Sequence, residues 1–345
     1  MHVFGESHGE VVGVVVEGFP PGIGIDEPLI QGELDKRRPG VGRLVTPREE
    51  SDRVSIMTGV LNGKSTGAPV TMMIRNTNAI SKDYEGFRER PRPGHADLAA
   101  QIKYGGHHDI RGSGAFSGRM TAAFVMAGAL ARHILSSRGI GVTAHITQIG
   151  DIVAKERKGF VDGSPIKCMD PSAAERMEEE ISKAISEGDS LGSKIECIIE
   201  NMPIGIGEPM FDSVESIIAH GMYSIPAVKA VSFGTGFEMS RMRGSEANDE
   251  YTYDNGKVTT LTNNNGGILG GMSNGMPIVF HVAIKPTPSI SKVQKTVDLE
   301  KRDNAEIRIK GRHDPCIGVR AVTVVENMAA FCIADLLLRC EDGRT

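Results

Sequence analysis

The sequence predicts a layered α/β fold, of the α+β kind, assembled by internal duplication, and three observations predict it. Residues 14–24 read VVVEGFPPGIG and residues 197–207 read CIIENMPIGIG, identical at five of eleven positions. Each runs within a few residues into Glu-Pro and a helix-like stretch. A second echo pairs GAPVTMMI at 67–74 with GMPIVFHV at 275–282, again a turn entering an apolar strand. Chance produces one such pair easily, whereas two in the same order argue for a repeated strand–helix–strand plan. The halves would be about 1–140 and 141–345, packed as a single domain. Third, short apolar runs alternate with longer helical segments, the pattern of a layered mixture of helix and sheet.

Taken in order, strands are expected near 11–18, 53–60, 69–75, 141–149, 194–201, 228–233 and 277–285. Each is a short apolar run bounded by Gly, Pro or polar turn residues. Helices are clearest at 117–137, 171–187 and about 323–340. The first, SGRMTAAFVMAGALARHILSS, is so uniformly apolar that it suits a helix covered on most sides. Ser117 is a good cap for it, with Arg119 in the first turn. The first polar motif begins four residues in, so any strand before it is short or absent.

Composition narrows the function classes. The 345 residues are 39% hydrophobic and 24% charged, ordinary for a globular protein. Glycine is abundant at 42, tryptophan is absent and aromatics are only 5%, which favours tight turns over base-stacking surfaces. A net charge of −5 and few aromatics oppose a nucleic-acid partner. The five cysteines form no CxxC pair, so neither a disulfide frame nor a metal site is expected. The apolar runs look too short to span a bilayer and no signal peptide is evident, so a cytoplasmic protein without a membrane partner is expected. Positive charge is nonetheless clustered: Lys36, Arg37, Arg38, Arg43 and Arg48 in one stretch, Arg88, Arg90 and Arg92 in another.

Chemistry-bearing residues gather in glycine- and proline-rich segments: FGESHGE (4–10), KRRPGVGR (36–43), RPRPGHADL (90–98), GGHHDIRGSGAFSGRMTA (105–122) and KGRHDPCIGVR (310–320). Singly each is weak, and GESHG lacks the GxSxG spacing of a nucleophile elbow. In order, and with GEP (207–209), RGSE (243–246), GGILGG (266–271) and KPTPS (285–289) between them, they resemble the landmarks of the chorismate synthase family from the first residues to about residue 340.

That resemblance implies a fold with helices sandwiched between antiparallel sheets, usually a homotetramer. It implies a lyase of aromatic amino acid biosynthesis, which removes phosphate from 5-enolpyruvylshikimate 3-phosphate by 1,4-anti-elimination. Reduced FMN would be required, without net redox change. The substrate carries a phosphate and two carboxylates and the flavin another phosphate, so several fixed cations are needed, and arginine offers planar bidentate donors. By the resemblance, Arg37, Arg43, Arg48, Arg92, Ser117, Gly118, Arg119 and Arg312 line the substrate site. The Arg37 and Arg43 positions also resemble contacts of a nicotinamide nucleotide (NADP), but are read first as contacts to substrate phosphate.

His8 resembles the acid that protonates the leaving phosphate, a task for a group titrating near neutrality. Ser7 resembles its relay, His95 the residue meeting the reduced flavin's anionic edge, and Asp314 the base that takes the flavin N5 proton. Flavin contacts carry over to Ala115, Phe116, Ser117, Pro226, Ala227, Gly270, Lys285, Pro286, Thr287, Pro288, Ser289 and Arg312. The chain departs from the family at three places. Ala115-Phe116-Ser117 stands where Arg-Ser-Ser is usual, Pro226-Ala227 where Asn-Ala is usual, and Met120 where an acid precedes Thr-Ala. His107 and His108 fall outside the motifs and receive no role. No reductase segment is apparent, so an external flavin reductant is expected. A non-catalytic flavin-binding regulator is the alternative, against which the retained His8, His95 and Asp314 speak.

Overall fold

The structure, a computed structural model, describes residues 1–38, 44, 51–77, 84, 86–160, 164–309 and 313–342. Two antiparallel sheets enclose a helical layer. The first has four strands, β1 (His2–Gly5), β2 (Val11–Val16), β3 (Val54–Thr58) and β4 (Val70–Arg75), in the order β1-β2-β4-β3. The second has five: β5 (Gly141–Ile149), β6 (Ile152–Val153), β7 (Ser193–Glu200), β8 (Val228–Phe233) and β9 (Ile278–Ile284), in the order β8-β9-β7-β5-β6. All seven strands expected from the sequence form. The four-residue β1 is the short leading strand, paired along its length with β2.

The echoed segments occupy matching places. β2 lies antiparallel to β4, with Val16 opposite Val70, and β7 lies antiparallel to β9, with Ile199 opposite Ile278. After its Pro/Gly turn β2 leads to helix α1 (Glu27–Arg37), and β7 leads to a later helix, Val214–Tyr223. Along β9 residues alternate buried and half-buried, so Ile278, Phe280, Val282 and Ile284 enter the core.

The remaining helices are α2 (Asp97–Lys103), α3 (Thr121–Ser137), α4 (Pro171–Glu187), α5 (Val214–Tyr223), the single turn α6 (Gly244–Ala247) and α7 (Gly318–Asp342). α4 has the expected bounds because its ends are well signalled. Asp170 accepts a hydrogen bond from the Ala173 amide, Pro171 opens the helix, and Gly188 closes it at φ 67°. α3 starts four residues later than expected, because Gly118–Met120 form a 3-10 turn first, with Ser117 Oγ accepting from the Arg119 amide at 3.2 Å.

α1 and α3 pack on the first sheet, α5 and α7 on the second, and α3 lies on α7 in the most extensive helix–helix contact of the molecule. One hydrophobic cluster runs through both sheets and both helix pairs, from Val12 to Leu337. α7 corrects one expectation. It is long and apolar enough to cross a membrane by length and composition, yet 78% of that stretch is buried between α3 and the second sheet. Its apolar surface is thus covered by protein. Two features had no sequence signal. α2 is short, and the hairpin β10 (Val293–Asp298) with β11 (Asp303–Arg308) is largely exposed and polar, so it shows no apolar run.

Candidate active site

A cleft of about 540 Å³ opens at the end of the helical layer, with walls from both halves of the chain. Its floor is a buried charge cluster. Arg37 ends α1 and is 1% exposed. It donates through Nη1 to Asp52 Oδ2 (2.9 Å), through Nε to Thr121 Oγ1 (3.1 Å), and through Nη2 to the Gly118 carbonyl (3.2 Å). Arg119, in the 3-10 turn before α3, donates to the other Asp52 oxygen and to Asn76 Oδ1 (2.9 Å). Burial pushes the Asp52 carboxyl up, but Arg37 and Arg119 outweigh it and hold the group below the usual carboxylate range. Two arginines therefore share one carboxylate at the cleft wall, and both remain lining residues.

A second cluster lines the same cleft. Arg92 makes a bidentate pair with Asp97, Nε to Oδ2 and Nη2 to Oδ1, both 2.7 Å, and donates to Ser113 Oγ at 3.0 Å. Its guanidinium lies 4.5 Å from the Phe87 ring centroid. Asp97 Oδ1 also sits 2.8 Å from His95 Nδ1. Burial raises the Asp97 carboxyl, and hydrogen bonds from Arg92 and His95 more than offset it, so it lies well below its ordinary value. Arg92 Nη2 stands 3.2 Å from the same Nδ1, so Asp97 and Arg92 together orient the ring of a residue that lines the cleft.

Ser113 reaches Arg92 from a left-handed backbone (φ 69°) between Gly112 (φ 59°) and Gly114 (φ 50°). Gly112 is required by close approach. A Cβ there would fall 2.3 Å from the His8 ring and 2.7 Å from Ser7 Oγ. His8 and Ser7 thus pack directly against this loop, with His8 edge-on to Tyr84 at 5.3 Å and Ser7 Oγ accepting from Ser117 Oγ at 3.2 Å.

The opposite wall comes from the second half. Thr287 Oγ1 donates to the Asp314 carbonyl (2.5 Å), and Asp314 Oδ2 accepts from Arg320 Nη1 (2.9 Å). Arg320, on the first turn of α7, also donates to the Arg37 carbonyl at 3.1 Å, tying the two walls together. Lys285 donates to the Gly94 carbonyl, and partial burial, aided by the Lys229 charge, holds its ammonium below the ordinary value. Ala227 sits at φ 74°, a strained conformation for a residue with a Cβ, and its carbonyl accepts from the Lys285 amide.

Of the residues named from sequence, Arg37, Arg92, His95, Ala115, Phe116, Ser117, Gly118, Arg119, Pro226, Ala227, Lys285, Thr287, Pro288, Ser289 and Asp314 line this one cleft. Ser7 and His8 pack against Gly112, a lining residue, without being among the lining residues themselves, and Pro286 lies within the lining segment without lining it. Gly270 is not at the cleft; it turns the hairpin between Ile268–Leu269 and Met272–Ser273. Arg43, Arg48 and Arg312 lie outside the described residues. Of the departures, Met120 is buried in the core, so an apolar side chain suits it, whereas Phe116 is 38% exposed at the cleft, near Tyr104. Sequence reasoning missed Asp52, Asp97, Ser113 and Arg320. Asp97 and Arg320 fall inside quoted motifs and Ser113 in the glycine-rich loop, but Asp52 carries no local signal at all.

Buried arginines, an oriented histidine and hydroxyls converge on one cleft, as in an enzyme that acts on a small molecule. The comparisons with known proteins give the family. The family model for chorismate synthase matches residues 1–338. The chain is 50% identical over 345 residues to the chorismate synthase of Korarchaeum cryptofilum, covering 99% of this chain and 96% of that one. It is 50% identical over 341 residues to that of Methanosarcina mazei, covering 97% and 93%. A crystal structure of a chorismate synthase superposes with a TM-score of 0.76 at 30% identity, covering 98% of this chain and 91% of that one. The chain belongs to the chorismate synthase family.

Proposed function

We propose that this chain carries out the 1,4-anti-elimination of phosphate from 5-enolpyruvylshikimate 3-phosphate to give chorismate, acting as a carbon–oxygen lyase at the last step of the shikimate pathway, with reduced FMN and no net redox change. The observation that carries the reading is the pair of buried arginines on Asp52, which line one cleft of about 540 Å³ together with Arg92 and His95.

The residues present fit FMN. Lys285 offers a cation, Ser117, Thr287 and Ser289 offer hydroxyls, and a Cβ on the lining residue Gly118 would meet no protein atom within 4 Å. Reduced flavin supplies the electron density that the departing C–O bond needs, which no side chain here can lend. The protein's own tasks are binding and proton handling. Arg37 and Arg119 hold the phosphate and carboxylates. His8, backed by Ser7, donates a proton to the leaving phosphate. His95, held by Asp97 through Nδ1, would meet the flavin's anionic edge as a cation, with Nε2–H as the donor. Asp314, fixed by Arg320, takes a proton from the flavin side.

Family membership also supports a homotetramer in the cytoplasm, supplied with reduced flavin by another protein, with neither nucleic acid nor membrane as a partner. The test is anaerobic turnover of the phosphate ester with dithionite-reduced and with oxidised FMN. Chorismate should form only in the reduced sample. Equal rates in both, or activity with no flavin, would sink the reading.

A further inference from the structure

We infer that Asp52, which is buried and does not line the cleft, is the positioning residue that aims Arg37 and Arg119 into it. The inference rests on the substrate reading above, because it concerns the two cations that reading uses.

Three observations carry it. Asp52 is wholly buried, and its two carboxylate oxygens are divided between the guanidiniums, Oδ2 to Arg37 and Oδ1 to Arg119. The arginines come from separate elements, the end of α1 and the turn before α3, and Asp52 joins their guanidiniums through one short side chain, beside the bonds that Arg37 makes to the Gly118 and Arg119 carbonyls and to Thr121 Oγ1. Asp52 is itself held in a left-handed conformation (φ 42°), which Asp tolerates better than most residues. The amide of Gln31, on α1, clamps it there: Nε2 donates to the Asp52 carbonyl (3.2 Å) and Oε1 accepts from the Val54 amide (3.0 Å).

Electrostatics alone predicts the reverse of positioning. Removing a negative charge beside two cations raises the positive potential of the site and should tighten an anionic substrate. If aim matters more than charge, removal should weaken it. Asp52→Asn, nearly the same shape, therefore separates the two by sign. The wild type is first shown to turn over the phosphate ester with reduced FMN; failure there would end the substrate reading and leave this inference without a subject. Given turnover, Asp52→Asn should raise KM at least tenfold while kcat stays within a few-fold, the pattern of lost uniform binding. A KM that falls or holds overturns the inference, and so does a drop in kcat alone, which is what a smaller folded fraction produces. Gln31→Met keeps every charge and loosens only the clamp, so it serves if Asp52→Asn fails to fold. It should raise KM in the same direction by a smaller factor, and an unchanged KM overturns the inference.

Discussion

Asp97 shows how one carboxylate in this cleft ties stability to geometry. It is 4% exposed and neutralises Arg92, itself 4% exposed, while holding His95. Because its folded-state pKa is depressed, its contribution is fully present above the ordinary aspartate pKa of about 3.9. That contribution is lost progressively as pH falls toward the folded value. Asp97→Asn leaves Arg92 buried with its principal anionic partner gone, which costs on the order of 3–5 kcal/mol. Urea midpoints at pH 7 should show that full loss, and the gap between wild type and variant should narrow below about pH 4. A gap that stays constant with pH would mean that packing, not charge, makes the contribution. Sequence reasoning reached His95 and Arg92 through their motif but not the reason they work, since nothing in RPGHADL says which way Asp97 turns.

Among the elements, the α3–α7 crossing decides how tightly the two sheets are joined. α3 is lined with small residues, Ala122, Ala123, Ala127, Gly128, Ala129 and Ala131, all buried. At Gly128 the helices touch backbone to backbone: a Cβ there would fall 2.1 Å from the Asn327 carbonyl oxygen. The same Asn327 links three helices, donating to Glu33 Oε2 on α1 at 2.8 Å and accepting from Arg132 Nε on α3 at 3.4 Å. Helix propensity alone favours Gly128→Ala by about 1 kcal/mol. The crossing opposes it, because forcing extra volume into a packed interface costs about 1–3 kcal/mol, and here the obstacle is backbone that cannot rotate aside. Gly128→Ala should therefore lower Tm. A rise in Tm would show that α3 and α7 move apart freely.

At the scale of the whole molecule, the continuous core from Val12 to Leu337 supports reading the chain as one domain, although the sequence repeats. We expect one cooperative unfolding unit. Hydrogen exchange at amides of β4 and β9, one in each half, should report the same opening free energy and the same denaturant midpoint. Distinct midpoints would mean that the halves unfold separately. The cleft needs that union, since Arg37 and Arg119 come from one half and Asp314 and Arg320 from the other.

What the sequence by itself determined was local or ordered along the chain. Short apolar runs between Gly, Pro and polar turn residues located the seven core strands, the helix-like stretch 171–187 gave α4, and the ordered motifs identified the family. Tertiary structure alone decided the long-range pairings. Asp52 meets Arg119 across 67 positions, and Arg320 meets the Arg37 carbonyl across 283. It also decided that the polar hairpin β10–β11 forms, that Gly270 turns away from the cleft, and that the apolar α7 is sheathed by α3 and a sheet. The physical reason is common to all of these. Periodicity and turn chemistry depend on neighbours a few residues away, whereas a buried carboxylate's partners are set only when distant elements pack and exclude water.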